Sequence, residues 1–205
     1  MRRSLFLLSV LLLASVSGIR AQESASDILA RTTKALKKDC VTADFRSISP
    51  MGETSGTIIL SRDRFFLDAG GIQTWFDGKT QWSYLPSSDE VNILTPTAEQ
   101  LESINPYSFL ALPSNGYQAQ KATPSKAGLL AVELKTADPG RSIQTLLLEI
   151  DPSTSFPERI VLNAQDKAGA VEILILSSQK GAQKPDAFFR FDLKAHPDTE
   201  IIDLR

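Results

Sequence analysis

Short apolar segments with a two-residue period, several of them apolar on both parities, constrain this chain most. Around 143–150, Ile143 and Leu147 share one parity while Leu146, Leu148 and Ile150 share the other; Val171, Ile173 and Ile175 likewise alternate with Leu174 and Leu176. Successive side chains of a strand point to opposite faces, so segments of this kind require cover on both sides of a sheet. Candidate strands fall at 42–49, 53–61, 64–68, 72–76, 80–85, 90–94, 116–122, 129–136, 143–150, 158–164, 170–177 and 187–193. Gly52, the pair Gly70 and Gly71, Asp77 with Gly78, and Pro86 with Ser87 and Ser88 punctuate the first half, and Pro124, 138–140, Pro152, 167–169 and Gly181 the second. Connections this short favour antiparallel neighbours.

Two segments break the strand pattern. Residues 26–38 place Ile28, Leu29, Thr32, Ala35 and Leu36 on one helical stripe, with Ser26 or Asp27 as the cap and Lys37 and Lys38 complementing the dipole at the far end. Between strand-rich halves lies TPTAEQLESINPYSFLAL, in which Thr95 or Thr97 can cap one short helix and Asn105 followed by Pro106 can open another. Its apolar residues Leu101, Ile104, Tyr107, Phe109, Leu110 and Leu112 are too many to face water. They read either as helices filling an ordinary core or as a removable cover over an apolar cavity. One large sheet curled toward a barrel, with both helical segments on its concave side, satisfies these demands and hides most of its edges.

The N-terminus carries an export pattern. Arg2 and Arg3 precede an apolar run from Leu5 to Ala14, and Ala21 ends a segment suited to cleavage before Gln22. The run is short for a membrane span. Residues 1–21 are therefore expected to be a signal peptide and 22–205 a single soluble domain outside the cytoplasm. The cut removes Arg2, Arg3 and Arg20 from 22 basic residues and none of the 24 acidic ones, so the formal charge moves from -2 to about -5. That balance argues against a nucleic-acid surface. The single cysteine, Cys40, lies too far beyond the cut for lipid attachment, cannot form an internal disulfide, and reads as a small buried side chain.

Catalytic signals are weak. The sequence has no Gly-x-Ser-x-Gly elbow, no phosphate-binding glycine-lysine loop and no cysteine-histidine cluster, and neither Cys40 nor the lone His196 has a supporting motif. Neither a cofactor nor a metal is expected, and Asp63, Asp68, Asp198 and Glu200 read as turn or surface groups. The aromatic residues, Phe45, Phe65, Phe66, Trp75, Trp82, Tyr84, Phe109, Phe188, Phe189 and Phe191, suit either one packed core or a wide lipid cavity. Trp82 and Tyr84 share a parity, as do Phe189 and Phe191, but parity does not say which side is inside.

From Phe45 to Phe109 the blocks ADFRSIS, GTIILSRDRFFLD, FDGKTQWSYLPSSDEV and NPYSFLAL occur in an order that resembles the periplasmic outer-membrane lipoprotein carrier family, LolA. FFRFDLKAHPDTEIIDLR resembles that family's terminal phenylalanine strand and extension. The resemblance implies a mainly β fold, an incomplete antiparallel β-barrel with a helical lid on its concave face, enclosing a cavity for acyl chains. It implies acylated lipoproteins as partners, received from an inner-membrane lipoprotein-releasing transporter and passed to an outer-membrane acceptor, by a periplasmic carrier rather than an enzyme. The residues expected to line cavity and lid are Phe45, Ile58, Leu60, Phe66, Trp75, Trp82, Tyr84, Leu101, Ile104, Tyr107, Phe109 and Leu110. The family's lid-controlling arginine corresponds to Arg62. Asp63 stands where members carry proline, Arg64 adds a second positive charge of the same parity, and Arg46 replaces a glutamine, so lid gating is expected of Arg62, Arg64 or both. A module that binds free lipid or senses envelope stress on the same half-barrel, and a purely structural envelope protein, are the competing readings.

Overall fold

The computed structural model describes residues 23–97, 100–101, 105, 107, 112–164 and 169–205. The expected signal peptide at 1–21 lies outside the described residues, as do Ile104, Phe109 and Leu110. Among the described residues, no helix is long and apolar enough to cross a membrane.

The chain begins with helix α1 (Ala25–Lys38), capped by Ser24 rather than by the expected Ser26 or Asp27. The Ser24 hydroxyl accepts from the Asp27 amide at 3.1 Å while the Asp27 carboxylate accepts from the Ser24 amide at 3.2 Å, a reciprocal capping box worth about 1 kcal/mol. Asp27 thus sits in the first turn, and its hydrogen bonds from Ser24 hold its carboxyl below the usual range. Ile28, Leu29, Thr32 and Leu36 of the expected stripe are buried and Ala35 is half-buried; Ala25, one residue before the expected helix, is buried with them, and Lys37 and Lys38 end the helix.

Twelve strands follow among the described residues: β1 (Cys40–Ser49), β2 (Gly52–Ser61), β3 (Arg64–Ala69), β4 (Ile72–Phe76), β5 (Gln81–Leu85), β6 (Glu90–Leu94), β7 (Gln118–Ala122), β8 (Leu130–Lys135), β9 (Ile143–Ile150), β10 (Pro157–Ala164), β11 (Ala170–Gly181) and β12 (Glu200–Asp203). They form one sheet in the order β12-β6-β5-β4-β3-β2-β1-β11-β10-β9-β8-β7. All pairings are antiparallel except β12 with β6. The two meanders, β1 to β6 and β7 to β11, join where β1 pairs with β11. Helix α1 touches β1 and β2 in the middle of this order and also β7 and β8 at one edge. A flat sheet cannot present both regions to one helix. The sheet therefore wraps around α1 as an open, curved half-barrel.

The expected strand at 187–193 is absent. Pro185 leads instead into a short 3-10 turn, Asp186–Phe189, in which the Phe188 amide donates to the Pro185 carbonyl at 3.0 Å. The alternation of Phe189 and Phe191 comes from a strap laid across the outer face rather than from strand pairing, and the chain rejoins the sheet only at β12. The outer face of β8 to β11 also differs from the two-sided burial expected of it. There Leu147 and Leu174 are half-buried and Leu176 is 59% exposed. Arg159 instead joins Glu172 and Glu149 across three strands, while Ser125 donates its amide and hydroxyl to Glu149, each at 2.6 Å. Polar groups satisfied in this way replace a second covering layer.

Candidate functional site

The strand registers place side chains in rows across the first half of the sheet. On the inner face, toward α1, one row runs Val41, Leu60, Phe65, Phe76, Gln81, Leu94. The next runs Ala43, Ile58, Leu67, Thr74, Ser83, Asn92, Ile202. Phe45 opens a third, facing Gly56 and then Ala69. From β1 to β3 the rows are apolar, and at β4 to β6 polar Thr74, Gln81, Ser83 and Asn92 enter them beside Phe76 and Leu94. This gradient follows from alternation in TWF and QWSYL, where Thr74, Gln81 and Ser83 take the inner parity and Trp75, Trp82 and Tyr84 the outer one.

Phe45, Ile58 and Leu60 lie in one contiguous apolar cluster with α1, Phe65, Phe76 and the inner residues of β8 to β11. Tyr107 is buried in that cluster and Leu101 packs against it. Burial raises the Tyr107 phenol well above its ordinary range. The approach to these two residues is built as the sequence predicts: Thr97 Oγ accepts from the Gln100 amide at 3.2 Å, Gln100 Oε1 accepts from the Thr97 amide at 2.8 Å, and the Leu101 amide donates to the Thr97 carbonyl. Asn105 Oδ1 then accepts from the Tyr107 amide at 2.9 Å, and the second helix expected to open at Pro106 lies outside the described residues. Segment 95–112 leaves β6 at Leu94, hence at the end of the sheet where Leu60 and Phe65 flank the β2–β3 turn.

The remaining expected cavity residues are not brought to this face. Phe66, Trp75 and Trp82 form an outer row with Ile93, and Tyr84 neighbours Val91 in the row beside it. Phe188 and Phe191 of the C-terminal strap cover them: Phe191 lies 5.4 Å from Trp75 and 5.2 Å from Tyr84, and His196 stacks on Phe191 at 4.7 Å, centroid to centroid. Asp89, at φ +51°, accepts from Thr199 Oγ at 2.6 Å and Tyr84 Oη at 3.0 Å, and these bonds lower its carboxyl pKa. The same strand alternation that separates the tryptophans from Phe65 and Phe76 rules out one pocket containing all of the expected aromatics.

The two arginines also part company. Arg62 is exposed in the β2–β3 turn at φ +60°, and it has no hydrogen bond or ion pair with the described residues. Arg64 turns to the outer face, pairs with Asp186, and lies 4.9 Å above the centre of the Phe189 ring. Its partners belong to the strap and, through weaker bonds to Ser61, to β2, not to segment 95–112. Arg46 is exposed on the outer face opposite Leu174, away from the inner rim. Cys40 is buried beside the strap, where desolvation raises its thiol pKa against the opposing charge of Lys184. It does not meet His196, and no metal-binding cluster occurs among the described residues.

The inner polar residues are the part of the site that sequence reasoning missed. Gln81 is only 4% exposed, its Nε2 donates to Ser83 Oγ at 3.0 Å, and its Oε1 has no hydrogen-bond partner among the described residues. Thr32 Oγ1, on the buried stripe of α1, is also unpartnered among the described residues. A separate open depression of about 310 Å³ is lined by Asp151, Thr154, Phe156, Glu158, Ile175 and Ser177, among others; its carboxylates and hydroxyls are poorly suited to an acyl chain.

Residues 15–166 match the family model described as outer membrane lipoprotein carrier protein LolA. No curated protein sequence matches at a significant level. Among solved structures, an uncharacterized conserved protein from Thermus thermophilus superposes with a TM-score of 0.61 at 13% identity, covering 87% of this chain and 98% of that one. MucB superposes with a TM-score of 0.50 at 14% identity, covering 87% of this chain but only 65% of that one. A LolA superfamily protein from Nitrosomonas europaea is 16% identical over 82% of this chain and 98% of its own, with a TM-score of 0.46. Likeness at these identities concerns the fold.

Proposed function

This chain belongs to the outer-membrane lipoprotein carrier protein LolA family, and from that premise we propose that it is a periplasmic carrier that holds lipoprotein acyl chains against the inner face of its half-barrel and transfers them toward the outer membrane. The observation that carries the reading is the continuity of apolar surface from α1 through Phe45, Ile58, Leu60, Phe65 and Phe76 to Leu101 and Tyr107 of the interrupting block. Ile104, Phe109 and Leu110 are assigned to the same cover. Each methylene withdrawn from water contributes roughly 0.8 kcal/mol, so partial enclosure of one chain supplies ample driving force without a catalytic group. Release requires that the cover exchange its own packing for lipid packing, which a short helical block on an open sheet can do.

Gating is assigned to Arg62. Its turn lies at the end of the sheet from which segment 95–112 departs, and its guanidinium is uncommitted among the described residues, whereas Arg64 is held by Asp186 and Phe189. Hydrogen bonds from Arg62 to lid carbonyls, each worth about 1 kcal/mol net, would hold the empty state closed and yield to ligand.

Transfer from membrane vesicles to a soluble complex tests the carrier, using otherwise identical acylated and nonacylated lipoproteins. Selective capture of the acylated form is expected. Equal capture of both, or of neither by folded protein, refutes acyl-dependent carriage; copurification of free lipid alone would favour a lipid-binding or sensing module.

A further inference from the structure

We infer that the inner face ends, at β5 and β6, in a polar subsite centred on Gln81 that receives the carbonyl-bearing linkage at the head of an acyl chain, an inference that rests on the carrier reading. The row that supplies Val41, Leu60, Phe65 and Phe76 to the apolar surface continues directly into Gln81. A position serving only to fill the core would take an aliphatic side chain there. Instead the chain buries a carboxamide, leaves its Oε1 unpartnered among the described residues, and surrounds it in the adjoining row with Thr74, Ser83 and Asn92. An unmade hydrogen bond in a buried site carries a desolvation cost that a ligand able to complete it relieves.

The chemistry of the pair fits an ester or amide. Gln81 Nε2 donates to Ser83 Oγ, but a hydroxyl both donates and accepts. Rotating the carboxamide lets Oε1 accept from Ser83 and turns Nε2 toward a ligand carbonyl; without rotation, Oε1 meets an amide N–H. Asn92 Nδ2 donates to Glu90 Oε1 at 2.7 Å and keeps a second N–H for a ligand carbonyl, while its Oδ1 suits an amide N–H. The hydrocarbon beyond the linkage then lies over Phe76, Phe65 and Leu60. Leu94, next in the row after Gln81, immediately precedes segment 95–112, so the linkage rests at the end where the cover is attached. Bare hydrocarbon leaves Gln81 unsatisfied, which makes the subsite selective as well as adhesive.

The test compares two serine peptides of identical sequence, one bearing a hexadecanoyl ester and the other a hexadecyl ether, as competitors of a fluorescent alkyl probe bound to the purified protein. The unsubstituted protein is expected to prefer the ester roughly 3- to 10-fold, the range of one net hydrogen bond. Gln81→Leu should abolish that preference while binding the ether at least as well. Gln81→Met, which keeps the length of the side chain and carries no N–H donor, should do the same and covers the case in which Gln81→Leu fails to fold. Absence of an ester preference in the unsubstituted protein, or an undiminished one in folded variants, overturns the subsite and leaves the carrier reading standing. Failure of both peptides to displace the probe overturns the two together.

Discussion

The ring of Phe45 lies over Gly56, its partner on the neighbouring strand, so closely that a Cβ added at Gly56 would stand 3.0 Å from Phe45 Cζ and 2.6 Å from Ala69 Cβ. The same Cβ would also collide with the Asp68 carbonyl. Gly56 is thus required by close packing of three strands, not by its backbone angles. Gly56→Ala is expected to destabilise the protein by about 1–3 kcal/mol, the usual cost of overpacking, as measured by denaturant unfolding. A change below a few tenths would mean that the sheet yields more readily than this contact implies.

Both tryptophans of the chain lie beneath the C-terminal strap, so their emission reports its docking. The Thr199 and Tyr84 hydroxyls hold the Asp89 carboxyl below its ordinary value of 3.8. A depressed carboxyl pKa contributes stability that is present above the unfolded value and lost as pH falls through the folded one. Acidification below about pH 3.8 should therefore loosen the strap and shift tryptophan emission to the red. Asp89→Asn keeps a carbonyl acceptor and tolerates positive φ, but removes the charge. In that variant the acid step should be smaller than in the unsubstituted protein, and equal steps would assign the transition to other carboxylates.

Arg64 and Arg62 are expected to behave oppositely. Arg64→Leu loses the Asp186 pair and the contact with Phe189, exposing 182–190 to limited proteolysis and costing about 1 kcal/mol. Arg62→Gly removes a side chain from a left-handed turn position, and the relief of strain nearly offsets the added freedom of the unfolded chain, leaving stability within about 0.5 kcal/mol. Under the gating assignment, Arg62→Gly and Arg62→Leu nevertheless impair acyl transfer. Impairment by Arg64→Leu with normal transfer in both Arg62 variants would move the gate to Arg64.

The ordered sequence blocks became spatial neighbours for a simple reason: the phenylalanine of ADFRSIS and the glycine that opens GTIILS are Phe45 and Gly56, paired across β1 and β2. Short turns between them made this meander legible, and the stripe Ile28, Leu29, Thr32 and Leu36 made α1 legible. The facing of Trp75, Trp82 and Tyr84 was not. A strand with aromatic residues on one parity and Thr74, Gln81 and Ser83 on the other ordinarily turns the aromatics inward. Here a distant segment, 188–196, covers them from outside, and nothing local announces that cover. FFRF was misread as a strand for the same reason, since a strap pressed against a sheet also alternates. The inner polar residues went unnoticed because their significance depends on burial, and nothing in the QWSYL segment itself announces that Gln81 is buried.

Leu101 offers the most direct probe of the cover. Its amide donates to the Thr97 carbonyl at 3.0 Å, and its side chain packs on the cluster that contains Tyr107 and Phe65. Leu101→Asp places a carboxylate against that apolar surface, where an unpaired charge costs more than the roughly 1–3 kcal/mol of a neutral polar group. The cheaper response is for the helical turn to lift away. The sheet and α1, which make their own contacts, should then keep most of their cooperative unfolding. Retention of an acylated peptide should fall roughly tenfold, the equivalent of about 1.4 kcal/mol of lost closure, and dissociation should accelerate while Leu101→Met stays near the unsubstituted protein. Dissociation followed by stopped-flow fluorescence, alongside thermal unfolding, separates the two effects. If Leu101→Asp folds normally and exchanges the acylated peptide at the unsubstituted rate, Leu101 is no part of a lid; loss of stability of the whole domain with unchanged exchange would mark segment 95–112 as core filling.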